Sequence, residues 1–267
     1  MEPRAQPDYA RESRLFDAVA EVYEEHRPGY PQALVDRIAC EARLGAGSAV
    51  LEIGSGTGKA TDAFAPLGCS ILCIEPGENL IAVAIRKFGG WPKVRFHCSS
   101  FEDWPLAAGE FDLVFSAQAF HWVKRGVGAA KAAAALGPGG VMAAFWKHYP
   151  GGAGEIHDRI QAAYVRLAPG LAERRAADTG IDGQIAMRRG LIEQGGHFGP
   201  LTIARYPWSE RYTTRQYMGL LNTYSDHLSL DPEQRGRLLG EIAQIIDACG
   251  GVIERSYVAV LYLARKV

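Results

Sequence analysis

The chain has 267 residues, 48% of them hydrophobic, and its 29 basic and 30 acidic side chains give a formal charge of −1. This length suits one large domain or a domain with an insertion, and the balanced charge argues against a nucleic-acid partner, which usually requires a basic patch. The amino terminus has no signal-peptide pattern, and no run of about 18 apolar residues predicts a membrane span. Five scattered cysteines favour reduced thiols over a metal site. We therefore expect a cytoplasmic protein without nucleic-acid or membrane partners; the sequence does not set its oligomeric state.

Residues 48–146 alternate short apolar strands with helices. Strands are predicted at Ala49–Ile53, Ser70–Ile74, Val94–Cys98, Phe111–Ser116 and Gly140–Trp146. Helices are predicted at about 59–66, 78–88 and 123–136. This alternation predicts a parallel sheet covered by helices on both faces. Ligands of such sheets bind at the carboxyl ends of the strands.

The pattern changes after Trp146, where the turn cluster K-H-Y-P-G-G-A-G precedes helical periodicity up to about Gly196. Two further strands are predicted, Thr202–Tyr212 and Tyr257–Arg265. Between them, Thr213–Cys249 is predicted to be helical with a break at Asp231-Pro232. We therefore predict a single domain over residues 1–267, with a core at 14–146 and helical insertions at about 147–200 and 213–250 that cap the strand ends.

The segment A-V-L-E-I-G-S-G-T-G-K at 49–59 carries three glycines directly after a strand. Gly54, Gly56 and Gly58 permit a tight turn and the close approach of a ligand to the backbone. Their spacing fits neither a phosphate-binding Walker loop nor the G-x-G-x-x-G of dinucleotide sites. Glu52 would repel a pyrophosphate, whereas a carboxylate suits the ammonium and sulfonium groups of S-adenosylmethionine. A turn without a ligand would leave Glu52 as an unexplained acid at the end of a buried strand.

A second acid, Glu75, ends the second strand in C-I-E-P-G. A carboxylate at this position can accept hydrogen bonds from both ribose hydroxyls of an adenosine. Alone, it does not separate a nicotinamide cofactor from S-adenosylmethionine, and an acid here can also simply cap a helix. Together with Glu52 and the glycines, Glu75 favours S-adenosylmethionine.

These motifs resemble those of the class I S-adenosylmethionine-dependent methyltransferases. The resembling segments are V-L-E-I-G-S-G-T-G at 50–58, I-E-P-G at 74–77, V-R-F-H-C-S-S-F-E-D-W-P at 94–105 and F-D-L-V-F-S-A-Q-A-F-H-W-V at 111–123. The resemblance covers residues 14–146 well and the remainder weakly. It implies an α/β fold with a Rossmann-like, doubly wound, seven-stranded sheet whose last strand is reversed. The H-W pair after the fourth strand resembles the small-molecule branch that includes the trans-aconitate methyltransferases.

The resemblance also implies a set of cofactor-binding residues. Ser100 stands where the family often has an aspartate, so adenine would be held by the Ser100 hydroxyl and the Phe101 amide. A helix ending near Arg27-Pro28 would close over the cofactor, with Arg27 pairing with the methionine carboxylate and Tyr23 either packing on the ligand or serving the core. The predicted set is Tyr23, Arg27, Glu52, Gly54, Ser55, Gly56, Gly58, Glu75, Pro76, Ser100, Phe101, Glu102, Ala117 and Gln118.

Methyl transfer from a sulfonium is an in-line displacement, so much of the catalysis can come from holding methyl and acceptor together in a dry pocket. His121 is the candidate general base because its ordinary pKa lies near neutrality, with a pocket wall as the alternative role. The predicted substrate-contacting residues are His121, Trp122, Trp146, Tyr224 and His227. The sequence predicts no metal site.

The sequence thus predicts a cytoplasmic methyltransferase that uses S-adenosylmethionine and a small-molecule acceptor with an oxygen, nitrogen or carbon nucleophile. Two alternatives stay open: a protein of the same fold that uses the cofactor for a non-methylating reaction, and one that only binds the ligand. A nicotinamide oxidoreductase is a more distant alternative.

Overall fold

The computed structural model describes residues 15–177 and 179–267 and contains one mixed sheet. The strands are β1 Ala49–Ile53, β2 Ser70–Glu75, β3 Val94–Cys98, β4 Phe111–Ala117, β5 Leu136–His148, β6 Thr202–Thr213 and β7 Val252–Arg265. Their order in the sheet is β3-β2-β1-β4-β5-β7-β6. Strands β1 to β5 pair in parallel, whereas β7 runs antiparallel to β5. The predicted Rossmann-like, doubly wound, seven-stranded sheet with a reversed last strand is confirmed.

Helices precede β1 and follow most of the strands, although the described residues between β3 and β4 contain none. The helices are α1 Ala20–His26, α2 Gln32–Glu41, α3 Thr61–Phe64, α4 Glu78–Lys87, α5 Gly128–Ala135, α6 Glu155–Leu167, α7 Pro169–Ala176, α8 Gly180–Glu193, α9 Thr214–Leu221, α10 Ser225–Leu228 and α11 Pro232–Ala248. Short 3₁₀ helices occupy Ala65–Leu67 and Phe120–Trp122. Within the residues that the structure describes, no helix has the length and apolar character needed to cross a membrane.

The central strands are apolar because both faces of the sheet are covered. Leu51 in β1 and Val114 in β4 are fully buried and are register partners. The strand order reverses between β1 and β4. In doubly wound sheets the ligand crevice opens at this reversal, outside the carboxyl ends of the strands. The segments that follow β1 and β4 are therefore the first place to look for a site.

The chain divides into two compact units. The first, which we call the sheet unit, comprises Gly29–His148, Asp182–Pro207 and Val258–Val267. The second, the helical unit, comprises the described part of Met1–Pro28 with Tyr149–Ile181 and Trp208–Tyr257. Its core is built from buried apolar residues of α6, α9 and α11, including Tyr164, Leu220 and Ile242.

Two helices of the sheet unit are shorter than predicted. The segment expected to be helical over 59–66 contains only α3, followed by a 3₁₀ turn that ends where Gly68 takes a φ of 75°. The helix expected from Val123 begins at Gly128, because Val123 is extended and Gly126 takes a φ of 81°. In both places glycine adopts the left-handed conformation that ends or delays a helix.

The predicted helix Thr213–Cys249 has a second break besides Asp231-Pro232. It stops at Leu221 and resumes at Ser225. Thr223 makes this break, because its backbone N–H and its hydroxyl both donate to the Leu220 carbonyl, at 3.0 and 2.6 Å. Two strands also begin earlier than predicted: β5 begins at Leu136 and β7 at Val252.

Candidate functional site

The loop after β1 holds the three predicted glycines in left-handed backbone conformations. The N–H groups of Gly54 and Ser55 donate to the carbonyl of Ile74, at 2.8 and 3.2 Å, which fixes the loop to the end of β2. A Cβ on Gly54 would lie 2.4 Å from the Cβ of Ala119, and one on Gly58 would lie 2.5 Å from the ring of Phe88. These two glycines therefore allow close packing within the protein.

Gly56 differs from its two neighbours in the loop. Its φ is 57°, and a Cβ built on it would meet no protein atom within 4 Å. The bare backbone at this position faces open space rather than a packed neighbour. This is the arrangement expected where a ligand approaches the main chain.

The carboxylate of Glu75 lies against this open backbone. Its Oε2 accepts the N–H of Gly56 at 2.8 Å, and its Oε1 accepts the N–H of Gly77 at 2.9 Å. The residue is 5% exposed. The carboxylate is therefore held in one orientation at the carboxyl end of β2, and Pro76, which follows it, is exposed.

Glu52 is buried at the end of β1, with 1% of its surface exposed. Its Oε2 accepts a hydrogen bond from the Thr61 hydroxyl at 2.5 Å and lies 3.7 Å from the Cys73 sulfur. Its Oε1 is buried without a hydrogen-bond partner among the described residues. Burial raises the pKa of Glu52 to about 8. The carboxyl group is thus largely protonated at neutral pH, and its predicted contact with a ligand cation stays a prediction.

Glu52 should make the folded state less stable as the pH rises. Because the native pKa is about 8 and the reference value is 4.5, the native state keeps a proton that the unfolded chain releases between these values, so stability falls over this window. Glu52→Gln cannot ionise and can still accept from Thr61. We expect the variant to gain at least about 1 kcal/mol relative to the wild type between pH 5 and pH 8. Urea unfolding of both proteins at several pH values measures this difference. If the free energies of unfolding of the wild type and the variant change in parallel with pH, the raised pKa is contradicted.

The segment after β3 forms a tight turn around Ser100. The Ser100 hydroxyl donates to Asp103 at 2.7 Å and accepts the Asp103 N–H at 3.1 Å. Phe101 is 3% exposed, and Glu102 accepts the N–H of Lys124. The serine that stands at the family's aspartate position is therefore bonded to an exposed aspartate three residues later, which sequence reasoning had overlooked.

The end of β4 carries a strained residue. Gln118 has a φ of 61°, and its N–H donates to the Phe145 carbonyl at 2.9 Å. Such a conformation is uncommon for residues other than glycine and persists only where surrounding structure enforces it. It turns the chain after Ala117 so that Ala119 packs against Gly54, which joins the β1 loop to the segment after β4.

His121 follows in the 3₁₀ turn after β4. Its Nδ1 accepts the indole N–H of Trp146 at 3.0 Å, and its ring lies 4.4 Å from that of Trp122. Burial and the charge of Arg188 lower the pKa of His121 to about 3. A neutral ring with so low a pKa is a weak proton acceptor at neutral pH. The engaged Nδ1 and the low pKa favour the pocket-wall role over the catalytic one, and both roles stay predictions.

We expect His121 to remain neutral throughout the physiological range. Its ¹⁵N imidazole shifts should stay constant from pH 5 to pH 8 in a long-range NMR correlation spectrum, with the signal assigned by its loss in His121→Asn. A titration centred near the ordinary histidine value would instead restore the general-base hypothesis.

Trp146 supports His121 rather than presenting an exposed surface. It is fully buried, and the Arg188 guanidinium lies 4.7 Å from its ring centre. Arg188 also approaches Nε2 of His148 at 2.8 Å. Arg188 was not among the predicted site residues. It lies in α8, far along the chain from His121 and Trp146.

Two predicted cofactor residues, Tyr23 and Arg27, lie in the helical unit. Arg27 donates from Nε to the Thr223 hydroxyl at 2.7 Å and from Nη2 to the Thr223 carbonyl at 2.8 Å. Its guanidinium lies 5.0 Å from the ring centre of Tyr23 and 4.2 Å from that of Tyr224. Arg27 thus joins α1 to the break between α9 and α10, and its predicted contact with a ligand stays a prediction.

The predicted substrate residue His227 is fully buried in the same unit. Its Nδ1 lies 2.7 Å from Asp226 and its Nε2 lies 2.8 Å from the Tyr164 hydroxyl. Both ring nitrogens are therefore engaged by the protein. Burial lowers the pKa of His227 despite the neighbouring carboxylate.

A further supporting residue was missed by sequence reasoning: Thr61 anchors Glu52 from the helix that follows the glycine loop. Gly77 belongs to the I-E-P-G segment quoted above, and its N–H anchors the Glu75 carboxylate two residues earlier. Among the residues that the structure describes, no group of three or more histidine, cysteine or acidic side chains could hold a metal ion.

Residues 51–144 match a protein family described as a methyltransferase domain. Over 226 residues the chain is 26% identical to an uncharacterised methyltransferase-like protein of Schizosaccharomyces pombe, covering 84% of this chain and 82% of the relative. Over 104 residues it is 33% identical to a protein of Saccharomyces cerevisiae assigned as an S-adenosylmethionine-dependent methyltransferase. The match covers 38% of this chain and 35% of the relative.

Two solved structures share the fold. A protein of Anaeromyxobacter dehalogenans assigned as a type II methyltransferase superposes with a TM-score of 0.61 and 23% identity, over 90% of this chain and 97% of the other. The phosphoethanolamine N-methyltransferase 2 of Haemonchus contortus, in complex with phosphomonomethylethanolamine and S-adenosylhomocysteine, gives 0.56 and 16%, over 99% and 60%. These two structures show the fold that the chain shares, and the domain match covers residues 51–144.

Proposed function

We propose that the chain is an S-adenosylmethionine-dependent methyltransferase acting on a small molecule. The observation that carries this proposal is the open backbone at Gly56 beside the fixed carboxylate of Glu75. A ligand resting on that backbone reaches an acceptor group suited to ribose hydroxyls. The strand reversal between β1 and β4 is the expected place for such a ligand.

The residues of the sheet unit fit this cofactor. Both carboxylate oxygens of Glu75 accept backbone N–H groups, from Gly56 and Gly77, which holds the carboxylate where a ribose would approach the loop. The Thr57 hydroxyl is buried without a hydrogen-bond partner among the described residues, and buried polar atoms of this kind call for a partner. Ser100, Phe101 and the exposed Asp103 would face the adenine. When bound, S-adenosylmethionine supplies a methyl group on a sulfonium that the acceptor nucleophile displaces.

The proposal that the methyl acceptor is a small molecule rests on the sequence. The chain has no basic excess for a nucleic acid, and the H-W pair at 121–122 resembles the branch that includes the trans-aconitate methyltransferases. We assign His121 and Trp122 to the wall of the reaction site. A neutral wall suits an acceptor whose nucleophile already carries an available electron pair.

Calorimetry with S-adenosylhomocysteine on the full chain tests the cofactor assignment. We expect binding of S-adenosylhomocysteine and weaker or absent binding of NADH. Tighter binding of NADH would replace the proposal by an oxidoreductase.

Labelled S-adenosylmethionine separates methyl transfer from the two alternatives. Incubation with a small-molecule extract should release label from the donor into a new product. Binding of the cofactor, with all label retained in the donor under every condition, would indicate a non-methylating or binding protein.

A further inference from the structure

Arg255 lies within β7, in the helical unit, and is buried among aromatic rings. It is 7% exposed. Its guanidinium carbon lies 3.7 Å from the ring centre of Tyr149, 5.4 Å from Tyr224, 5.5 Å from Tyr257 and 5.7 Å from Tyr217. Burying a charged group costs several kcal/mol unless a partner compensates it. Cation–π contacts offset only part of such a cost.

The guanidinium lacks a negative partner among the residues that the structure describes. Nη1 donates to the Tyr217 hydroxyl at 3.1 Å, and Nε is buried without a hydrogen-bond partner in that part of the chain. Burial raises the pKa of Tyr149 and of Tyr257, so these tyrosines are neutral and do not cancel the charge. The acid Asp226 of the same unit is paired with Arg175 and His227.

A second cation strengthens the positive character of this cluster. The Arg27 guanidinium lies 4.2 Å from the ring of Tyr224, which Arg255 also contacts. The hydrogen bonds recorded for Arg27 go to the neutral Thr223. The ring of Tyr224 therefore contacts two guanidinium groups, and the partners of Arg27 bring no negative charge to the cluster.

We propose that Arg255 and the surrounding tyrosines Tyr149, Tyr217, Tyr224 and Tyr257 form a binding site for the carboxylate of a small molecule. A planar guanidinium matches a carboxylate through two parallel hydrogen bonds, and the unpartnered Nε supplies one such donor. Of the two guanidinium groups, Arg255 has the unpartnered buried donor, whereas Nε and Nη2 of Arg27 donate to Thr223. The site therefore offers one guanidinium for pairing, which suits a monoanion better than a phosphate dianion. Tyr149 is 38% exposed, so it lies on the open side of the cluster, and the rings offer an apolar wall to the body of the ligand.

The carboxylate site rests on contacts within the helical unit alone and is independent of the proposed function. Its ligand is expected to be a small carboxylic acid with a flat or apolar body.

Thermal unfolding of the full chain with matched anionic and neutral probes tests the site. The probes are acetate with acetamide and benzoate with benzamide, at constant ionic strength. A ligand that binds the native state raises its Tm. We expect the carboxylates to raise the Tm of the wild type by several degrees more than the amides do, and Arg255→Met to abolish this difference. Arg255→Lys should weaken carboxylate binding at least tenfold, because lysine cannot form the bidentate pair.

Arg237→Met is the matched control, since Arg237 is a 64% exposed arginine of the same unit that pairs with Glu233. It should keep the wild-type response. An equal response of the wild type to acids and amides, or an undiminished carboxylate effect in Arg255→Met, would overturn the proposal; if that variant does not fold, an undiminished effect in Arg255→Lys does the same. S-adenosylhomocysteine binding is measured on every variant. Its absence from the wild type counts against the proposed function, whereas its presence without carboxylate discrimination counts against Arg255 alone.

Discussion

Replacing Glu75 by alanine is expected to weaken S-adenosylhomocysteine binding by about tenfold to a hundredfold. The loss corresponds to roughly 1.5–3 kcal/mol, the range for hydrogen bonds to a charged group. Two effects act together. The ribose loses its acceptor, and the N–H groups of Gly56 and Gly77 lose the carboxylate that orders the loop. Calorimetric titration of the purified variant measures the change in Kd.

Two further variants separate charge from bulk. Glu75→Gln keeps one oxygen acceptor but turns an amide N–H₂ group toward a backbone N–H, so an intermediate loss is expected. Glu78→Ala removes an exposed acid from the first turn of α4 and should leave the Kd unchanged. Thermal unfolding of each variant establishes that it is folded. A Glu75→Ala protein that binds as tightly as the wild type would place the ribose elsewhere.

The sequence was sufficient for the sheet because its signals are local. Strands β1, β2 and β4 are short apolar runs, and a strand buried on both faces can hardly have another composition. The positions of Gly56 and Glu75 followed from the ends of these strands. Their mutual hydrogen bond, however, joins the loop after β1 to the last residue of β2, and no local pattern encodes it.

The details that the sequence did not predict depend on contacts between distant segments. Thr223 ends α9 by donating to the Leu220 carbonyl, and its hydroxyl accepts a hydrogen bond from Arg27, which directly follows α1. Arg188 lowers the pKa of His121, although burial acts more strongly on it. Arg255 lay outside every predicted element, because the last strand was predicted to begin at Tyr257. Three of its tyrosine neighbours, Tyr149, Tyr217 and Tyr224, are distant from it in the sequence. Helical or strand periodicity reports which side of an element is buried, not which residues meet there.

Substituting Gly56 by alanine should separate ligand binding from folding. The φ of 57° costs an alanine about 1–2 kcal/mol, but its Cβ would meet no protein atom within 4 Å. The protein should therefore fold with a modestly lower Tm. S-adenosylhomocysteine binding should fall on the order of a hundredfold, about 2.8 kcal/mol, since the methyl group occupies the space in which the ligand approaches the backbone. Calorimetry gives the Kd, and urea unfolding gives the stability.

Two other glycines provide the controls that make this prediction sharp. Gly68→Ala has the same left-handed strain, with a φ of 75° and open space around the Cβ, but lies in the turn before β2, at the opposite end of that strand from Glu75. It should lose similar stability and bind S-adenosylhomocysteine normally. Gly54→Ala would place its Cβ 2.4 Å from that of Ala119, so it should lose more stability than either. If Gly56→Ala binds as Gly68→Ala does, the open backbone at Gly56 is a turn and not a cofactor cradle.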